Sequence, residues 1–447
     1  MKNIFLIIAT FFFFCSSDAA AQDTQYWTKQ YGTYGELLGG TVVGAISDLS
    51  ATYYNPGSLP FIKDTVLILT THSLQAYMIS LENAFGSNQK LQASSVTGSP
   101  GIFAVRLPLK WLGNNQVIIS YITRYNFTFE AEGLNATPYS QNKNNYLSEE
   151  ILTLQNLSEY WAGISWSNEI SKNIGFGATI YFPYRSQSVR NQAIGQLRDS
   201  TNRNKTAVLF ENYSYYNLRC LVKFGATFDL SPLMLGITIT TPSVNLFGNG
   251  SASLNITNTG FNLDSPELNE VFASNYQENL STKFNSAFSI ALGTAYYMKN
   301  TSFYLTFEWF NDVKEFNIMS PSLFYAQSNG KKVNYNATYS LKSVINMGLG
   351  IKYIVNPDFI FYGSVTSDQS SYVPNSKNRF AISNWDIIHL RTGGMFTFKN
   401  MNITLGLGYG FSGNFYNRLN ILDWNKKNES NVVYNQLDAI FGFSYKL

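Results

Sequence analysis

Near its carboxyl end the chain reads "MNITLGLGYGF", where Ile403, Leu405, Leu407, Tyr409 and Phe411 alternate with Thr404, Gly406, Gly408 and Gly410. A period of two puts successive side chains on opposite faces of a strand. The same period runs through "TSFYLTFEWF", "VINMGLGIKY" and "LRCLVKFGATF", and through "LDAIFGFSYKL" up to the last residue. In that last segment Leu437, Ala439, Phe441, Phe443, Tyr445 and Leu447 share one face, while Asp438, Gly442, Ser444 and Lys446 fall on the other. Alternation alone fits either a soluble sandwich, whose apolar face is its core, or a membrane barrel, whose apolar face meets lipid.

The connections separate the two. Tight turns at "SNEISKN", "DLSPL", "YMKNTS", "IVNPDF" and "FKNMN", and a looser one at "LPLKWLGNNQ", each join two strand patterns. Between these hairpins lie long polar connections, at 131–156, 190–205, 243–283, 311–342, 368–386 and 414–436. Short turns on one side and longer loops on the other are what a membrane barrel needs. Counting from Thr65, with a first long connection before Gly101, gives about fourteen strands, each near the 9–11 residues of a tilted membrane strand.

Composition agrees. The chain is 16% aromatic but only 13% charged, where about a quarter charged is usual for soluble proteins. The opening "MKNIFLIIATFFFFCSSDAAAQ" has one cation, an apolar run too short to span a bilayer, and small residues at Ala19 and Ala21. It reads as a signal peptide over 1–21, cleaved before Gln22. Cys15 would leave with it, and Cys220 alone would remain, so no internal disulfide is expected. The net charge of +3 gives no basis for a nucleic-acid partner. The expected location is the outer membrane of a Gram-negative bacterium, crossed many times. Aromatic alternation to the end of the chain is the kind of signal read by the barrel-assembly machinery.

Parity then assigns the inward side chains: Arg124, Arg185, Arg219, Lys223, Glu308, Lys352, His389 and Arg391. Counted from the short turns, Lys223, Glu308 and Arg391 fall near mid-barrel, and Arg124 and Arg219 nearer the outer mouth. Two readings stand. The cations Arg124, Arg185, Arg219, Lys223 and Arg391 meet a ligand carboxylate, or they pair within an inner network, since buried charge must be compensated. Pro183 should interrupt its strand, and its position near the loop end favours a place where the strand leaves the membrane. In "DSPELNEVFASNYQENL" Ser265 is suited to cap a loop helix with Pro266 at its first position and Leu268, Val271 and Phe272 on one face. The two histidines, His72 and His389, show no metal-ligand spacing, and there is no nucleophile elbow or phosphate loop. Neither a catalytic residue, a metal nor a cofactor is expected.

Before the first strand stands "QDTQYWTKQYGTYGELLGGTVVGAISDLSATYYNPGSLP". Its Gly39, Gly40, Gly44, Ala45, Asp48, Ala51, Asn55, Pro56 and Gly57 resemble the amino-terminal region of FadL/TodX-type outer-membrane transporters of hydrophobic compounds. In that family a small-residue stretch leads to an Asp, then to Asn-Pro-Ala or Asn-Pro-Gly before strand one. The resemblance implies an all-β fold, a transmembrane antiparallel β-barrel of about 14 strands with an N-terminal hatch inside the lumen. It divides the chain into the signal peptide 1–21, a hatch over 22–63 and a barrel over 64–447. Asp48, Asn55, Pro56 and Gly57 become hatch or gating residues. It further implies passive, cofactor-free passage of a hydrophobic small molecule such as a long-chain fatty acid, released by a shift of the hatch, often through a lateral gap. Outer-membrane lipid and lipopolysaccharide would surround such a barrel. A second reading is an interaction barrel of a secretion system that binds exported proteins. "QVIISYITRYNFTF" lacks an interior glycine or proline that would advertise a kinked wall.

Overall fold

The computed structural model describes residues 24–82, 90–109, 111, 113–138, 146–198, 203–261, 270–373, 385–417 and 430–446; the expected signal peptide lies outside them. The strands in chain order are β1 (Thr65–Glu82), β2 (Lys90–Arg106), β3 (Gln116–Pro138), β4 (Tyr146–Ser171), β5 (Ile174–Arg198), β6 (Asn204–Leu230), β7 (Leu233–Thr240), β8 (Val244–Thr259) and β9 (Val271–Ser281). They continue with β10 (Ser289–Met298), β11 (Thr301–Phe310), β12 (Val313–Met319), β13 (Phe324–Tyr325), β14 (Lys332–Val333), β15 (Ala337–Leu341), β16 (Val344–Asn356), β17 (Phe359–Asp368), β18 (Ile387–Phe398), β19 (Met401–Asn417) and β20 (Ser430–Lys446). The main sheet has 16 strands. Setting aside the β8–β9 hairpin, which hangs on β6, leaves a wall of fourteen, closed where β1 pairs antiparallel with β20.

The wall is inside-out relative to a soluble protein. On β16 Ile345, Met347 and Leu349 are 51%, 51% and 58% exposed, while Asn346 between them is fully buried. On β19 Leu405, Leu407 and Tyr409 are exposed and Thr404 is buried. An apolar exposed face and a polar buried face suit lipid outside and a filled lumen inside. Two-residue turns join β4–β5, β6–β7, β10–β11, β16–β17 and β18–β19 at one end. Lys299 and Lys399 adopt φ of 38° and 51° there, the left-handed backbone that matches tight hairpins to strand twist.

The other end departs from the sequence reading. The connections expected at 131–156 and 190–205 are mostly strand: β3 and β4 pair out to Pro138↔Tyr146, and β5 and β6 to Arg198↔Asn204. At 23–27 residues these four strands far exceed a membrane crossing of about 9–11. Their polar composition reflects rising out of lipid, not loss of pairing. The expected loop helix is also corrected. Val271 and Phe272 open β9, one buried and the other exposed, and pair with Asn258 and Thr257; Ser265, Pro266 and Leu268 lie outside the described residues. β-branched and aromatic residues beside an available strand edge favour the ladder over one helical face.

Pro183 does break pairing: the β5–β6 ladder passes from Tyr181↔Leu221 to Tyr184↔Leu218. A larger break lies beside Gly98, Pro100 and Gly101 of β2, where Pro100 has no N–H to give to a ladder. Between Ile102↔Ile122 and Ala93↔Ala131 no pair joins β2 to β3 among the described residues, although both strands stay paired to their other neighbours. A bulge at Arg124, between Thr123↔Tyr160 and Tyr125↔Glu159, reverses the parity of β3. Ile118 and Ile122 are buried below it, Arg124 within it, and Phe127, Phe129 and Ala131 above it.

Residues 24–62 are almost entirely buried and meet inward residues round the wall. Ser364 Oγ donates to the Leu37 carbonyl at 2.8 Å, Thr179 Oγ1 to that of Thr52 at 2.9 Å and Thr238 Oγ1 to that of Tyr54 at 2.7 Å. A segment touching strands on all sides of a closed barrel lies within it. Asp48 shapes this segment, its Oδ2 accepting from Thr33 N and Oγ1 (2.8 and 2.7 Å) and its Oδ1 from Ser50 N and Oγ (2.9 and 2.5 Å). Asn55 ties it to the wall. Its Oδ1 accepts from Gly57 N at 3.0 Å, starting the 3₁₀ turn Pro56–Phe61, and its Nδ2 donates to the Val43 and Ala226 carbonyls and to Thr227 Oγ1.

The Asn-Pro-Gly tip fits because the wall there has no side chains. A Cβ on Gly236 would stand 1.9 Å from the Val43 carbonyl oxygen, and one on Gly225 2.2 Å from Asn55 Oδ1. Gly236→Val should therefore unseat residues 43–57 at a cost of about 1–3 kcal/mol. The expected outcome is faster proteolysis within 24–62 and a lower Tm in detergent, with the barrel's heat-dependent gel mobility retained.

A candidate ligand cavity

Arg124, Arg185, Arg219 and Lys223 converge on one cavity of ≈ 70 Å³, with Glu159, Glu308, Tyr26, Tyr53, Tyr125, Trp161, Phe284, Phe310 and Tyr339 among its other lining residues. Arg391 is not brought there; its Nη2 donates to the Thr28 carbonyl at 2.9 Å. Irregular backbone helps place two of the four. Arg124 occupies the β3 bulge, and Arg219 stands where β6 leaves β5 opposite Pro183 and shifts register against β8. Bulges commonly re-aim side chains at functional sites.

The cations are held unequally. Arg185 is bonded through all three nitrogens: Nη1 donates to Glu159 Oε2 at 2.9 Å, Nη2 to Gln187 Oε1 at 2.9 Å and Nε to Tyr215 Oη at 3.0 Å. Arg219 Nη2 approaches the same Glu159 oxygen at 2.8 Å. The Phe284 ring lies under both guanidinium groups, 4.2 and 4.8 Å from their Cζ atoms. Glu159 Oε1 accepts from Trp161 Nε1 at 2.7 Å. For Arg185 the inner-network reading is the right one.

Arg124 and Lys223 are different. Arg124 Nη2 donates to the Tyr26 carbonyl at 2.7 Å, but Nη1 is buried without a partner among the described residues. Lys223 Nζ lies 4.4 Å over the Tyr53 ring and forms no ion pair among the described residues. Glu308, also on the lining, accepts from Trp27 Nε1 and Ser289 Oγ, both at 2.8 Å. Four cations against two carboxylates leave the cavity positive. A carboxylate end group would meet Arg124 and Lys223, and the aromatic rings offer its apolar body a surface. A smaller cavity of ≈ 10 Å³ shares Tyr53, Lys223 and Glu308 and continues beside Val43 and Ala291.

One stretch of the amino-terminal segment closes both this cavity and the β2–β3 break. Thr24 and Tyr26 line the cavity, and Tyr26 stacks on Phe310 at 3.9 Å. At the break, Tyr125 Oη donates to the Gln25 carbonyl at 3.0 Å, Lys29 Nζ to Ser99 Oγ at 2.8 Å and Tyr31 Oη to the Thr123 carbonyl at 3.3 Å. Asp368, fully buried, fastens the stretch. Its Oδ1 accepts from the amides of Tyr26 (3.1 Å) and Trp27 (3.0 Å) and from Asn346 Nδ2, and its Oδ2 from Thr28 Oγ1. Sequence reasoning missed Glu159, Tyr53, Phe284 and Asp368. Glu159 and Trp161 share the parity of a strand's inner face, a signal that was available; Phe284 sits between strands and carried none.

The fold has solved counterparts. A FadL homologue from Pseudomonas aeruginosa aligns over 94% of this chain and 99% of its own, at TM-score 0.64 and 12% identity. The Pseudomonas putida toluene transporter TodX aligns over 94% and 100%, at 0.57 and 14%. The monoaromatic hydrocarbon channel CymD aligns over 94% and 98%, at 0.55 and 13%. This chain has the FadL-type fold. No family model matches the sequence, and no curated protein matches it. In this FadL-type barrel, then, the lumen carries a positive cavity whose charge is part network and part uncompensated.

Glu159→Gln removes the carboxylate shared by Arg185 and Arg219 while keeping its shape. Unfolding in detergent should show a loss of about 3–5 kcal/mol, the usual result of stranding a buried charge. Adding Arg219→Leu should return part of it.

Proposed function

We propose that the protein carries hydrophobic small molecules across the outer membrane of a Gram-negative bacterium, and that its preferred ligand is an amphiphile ending in a carboxylate, such as a long-chain fatty acid. Residues 22–63 act as its hatch, and 1–21 as an export signal. The carrying observation is the stretch 24–31, which closes the ligand cavity on one side and the β2–β3 break on the other. FadL-type channels described as transporters of toluene and monoaromatic hydrocarbons share the fold; uncompensated Arg124 and Lys223 favour an acid over a plain hydrocarbon here.

At ≈ 70 Å³ the cavity is below the ~150 Å³ that admits a benzene-sized guest. The structure is a closed state, and a ligand enters only if residues 24–31 or the outer segments move. Movement of 24–31 also uncovers the break, which begins at Thr123 on β3, whose first residue is Gln116. At about 3.3 Å per tilted residue, the opening falls in the half of the bilayer away from the short turns. Ligand leaves sideways into that leaflet.

Thr24 Oγ1 and Ser370 Oγ are 3.0 Å apart. A Thr24→Cys/Ser370→Cys disulfide in a Cys220→Ser background should cut fatty-acid uptake at least ~10-fold and release it on reduction; undiminished uptake with the disulfide formed would remove the gating role of this stretch. Lys223→Met should weaken binding of a long-chain fatty acid by about 10–100-fold, the value of a charge-assisted hydrogen bond, while binding of a matched alkane stays within a few-fold. Equal losses for both would count against carboxylate recognition.

A further inference from the structure

Above the apolar belt, on the side away from the short turns, the outer face of the barrel carries a further groove, separate from the lumen. β7 stops at Thr240, opposite Lys223 of β6, and from Cys220 upward β6 takes β8 as its neighbour instead. β5, β6, β8 and β9 thus continue as a sheet past the end of the adjoining wall. Their outward face holds a groove of ≈ 320 Å³, within the ~300–1,000 Å³ of small-molecule sites.

Its lining includes Tyr184, Tyr216, Tyr276, Ser214, Asn249 and Glu278. The three tyrosines are 41%, 40% and 61% exposed, and Tyr184 and Tyr216 stack at 6.2 Å between centroids. Backbone irregularity forms the trough: the β8–β9 ladder breaks between Gly250 and Ala252, and Asn279 takes φ of 58°. Tyr276 Oη donates to Glu278 Oε2 at 3.3 Å, which holds an acceptor at the rim. Among the described residues no lysine or arginine lines it.

Chemistry and height together select an occupant. Tyrosine faces offer apolar area with a polar edge, and Ser214, Asn249 and Glu278 offer hydrogen bonds, a combination suited to a ring with C–H faces and hydroxyl edges. The absence of cations from the lining disfavours a phosphate. Tyr216 lies seven positions beyond Lys223 along β6, so the groove stands above the apolar belt, at the level of lipid headgroups. We propose that it binds an uncharged hexose of a glycolipid headgroup in the surrounding leaflet.

The test uses the full-length barrel in nanodiscs of phosphatidylglycerol containing a monogalactosyl diacylglycerol with the same acyl chains, with retained lipid counted by native mass spectrometry. Retention of the galactolipid should exceed that of phosphatidylglycerol at least about fivefold, fall to parity in Tyr216→Ser/Tyr276→Ser, and be competed by methyl galactoside. Both substitutions are on exposed side chains, and unchanged heat-dependent gel mobility will confirm the fold. Equal retention of the two lipids, an undiminished preference in the double variant, or competition by any chain-matched lipid but not by the free sugar would each overturn the proposal. Fatty-acid uptake is a separate readout, and its loss or retention leaves this site's test intact.

Discussion

Lipid gives the backbone no hydrogen-bond partner, so a sheet that crosses it must close on itself. The β1–β20 ladder meets that demand, and the rest of the molecule follows from it. Once the apolar side chains face outward, the polar half of every strand points at the lumen, where it needs either water or protein. Residues 24–62 supply protein. Asp368 and Asn55 are the two ends of that arrangement, one binding the amides that enter the lumen and the other fixing the tip against a wall stripped of side chains at Gly225 and Gly236. A filler held by hydrogen bonds and small-residue contacts, and not by large apolar interdigitation alone, is one whose contacts can be exchanged for those of a ligand.

Charge in the lumen sorts by the same logic. A buried carboxylate between two guanidinium groups offsets much of their desolvation, and the aromatic plane of Phe284 below them adds cation–π attraction. Glu159, Arg185 and Arg219 form such a unit and brace β4, β5 and β6. Arg124 and Lys223 stand at its edge, Arg124 held by the Tyr26 carbonyl and the Tyr125 ring and Lys223 by the Tyr53 ring face, with no ion pair to either among the described residues. In a closed, low-dielectric cavity that deficit makes an incoming anion more favourable than it would be in water. On the function proposed above, the specificity of the site would come from what the network leaves uncompensated.

The sequence made the wall legible because parity is a local property. Ile345, Met347 and Leu349 could be placed outward, and Arg124, Arg219 and Lys223 inward, from spacing alone. Turn chemistry at "YMKNTS" and "FKNMN" set one end of the barrel. What was not legible depends on partners distant in the chain. Polar stretches such as 131–138 read as loops, yet they pair because a neighbour rises beside them. Val271 and Phe272 fit a helical face and a strand equally well until β8 is present. The β2–β3 break has no glycine or proline at Arg124 to mark it; that signal stood on the partner strand, in Gly98, Pro100 and Gly101 of β2, while β3 carries even-numbered residues inward below its bulge and odd-numbered ones above. That phase change was visible in Ile118, Ile122, Phe127 and Phe129, but it reads as noise unless both halves are assigned to one strand.

The position of that phase change links the parts. The bulge adds a residue to β3 against β4, while β2 holds the same register with β3 on both sides of the break, at Ile102↔Ile122 and Ala93↔Ala131; pairing to β2 lapses between them, along Gly98, Pro100 and Gly101. The released carbonyl of Thr123 is then met by Tyr31, and Ser99 across the break by Lys29, both from the lumen segment. The same extra residue turns Arg124 into the cavity, where it holds the Tyr26 carbonyl. The break in one ladder and the bulge in the next thus set at one level of the wall an opening, a cation beside it, and the bonds through which a single stretch of chain covers both. Anything that binds Arg124 strongly enough to displace Tyr26 acts on the cover of the opening as well, because Gln25, Tyr26 and Lys29 lie on one short length of backbone.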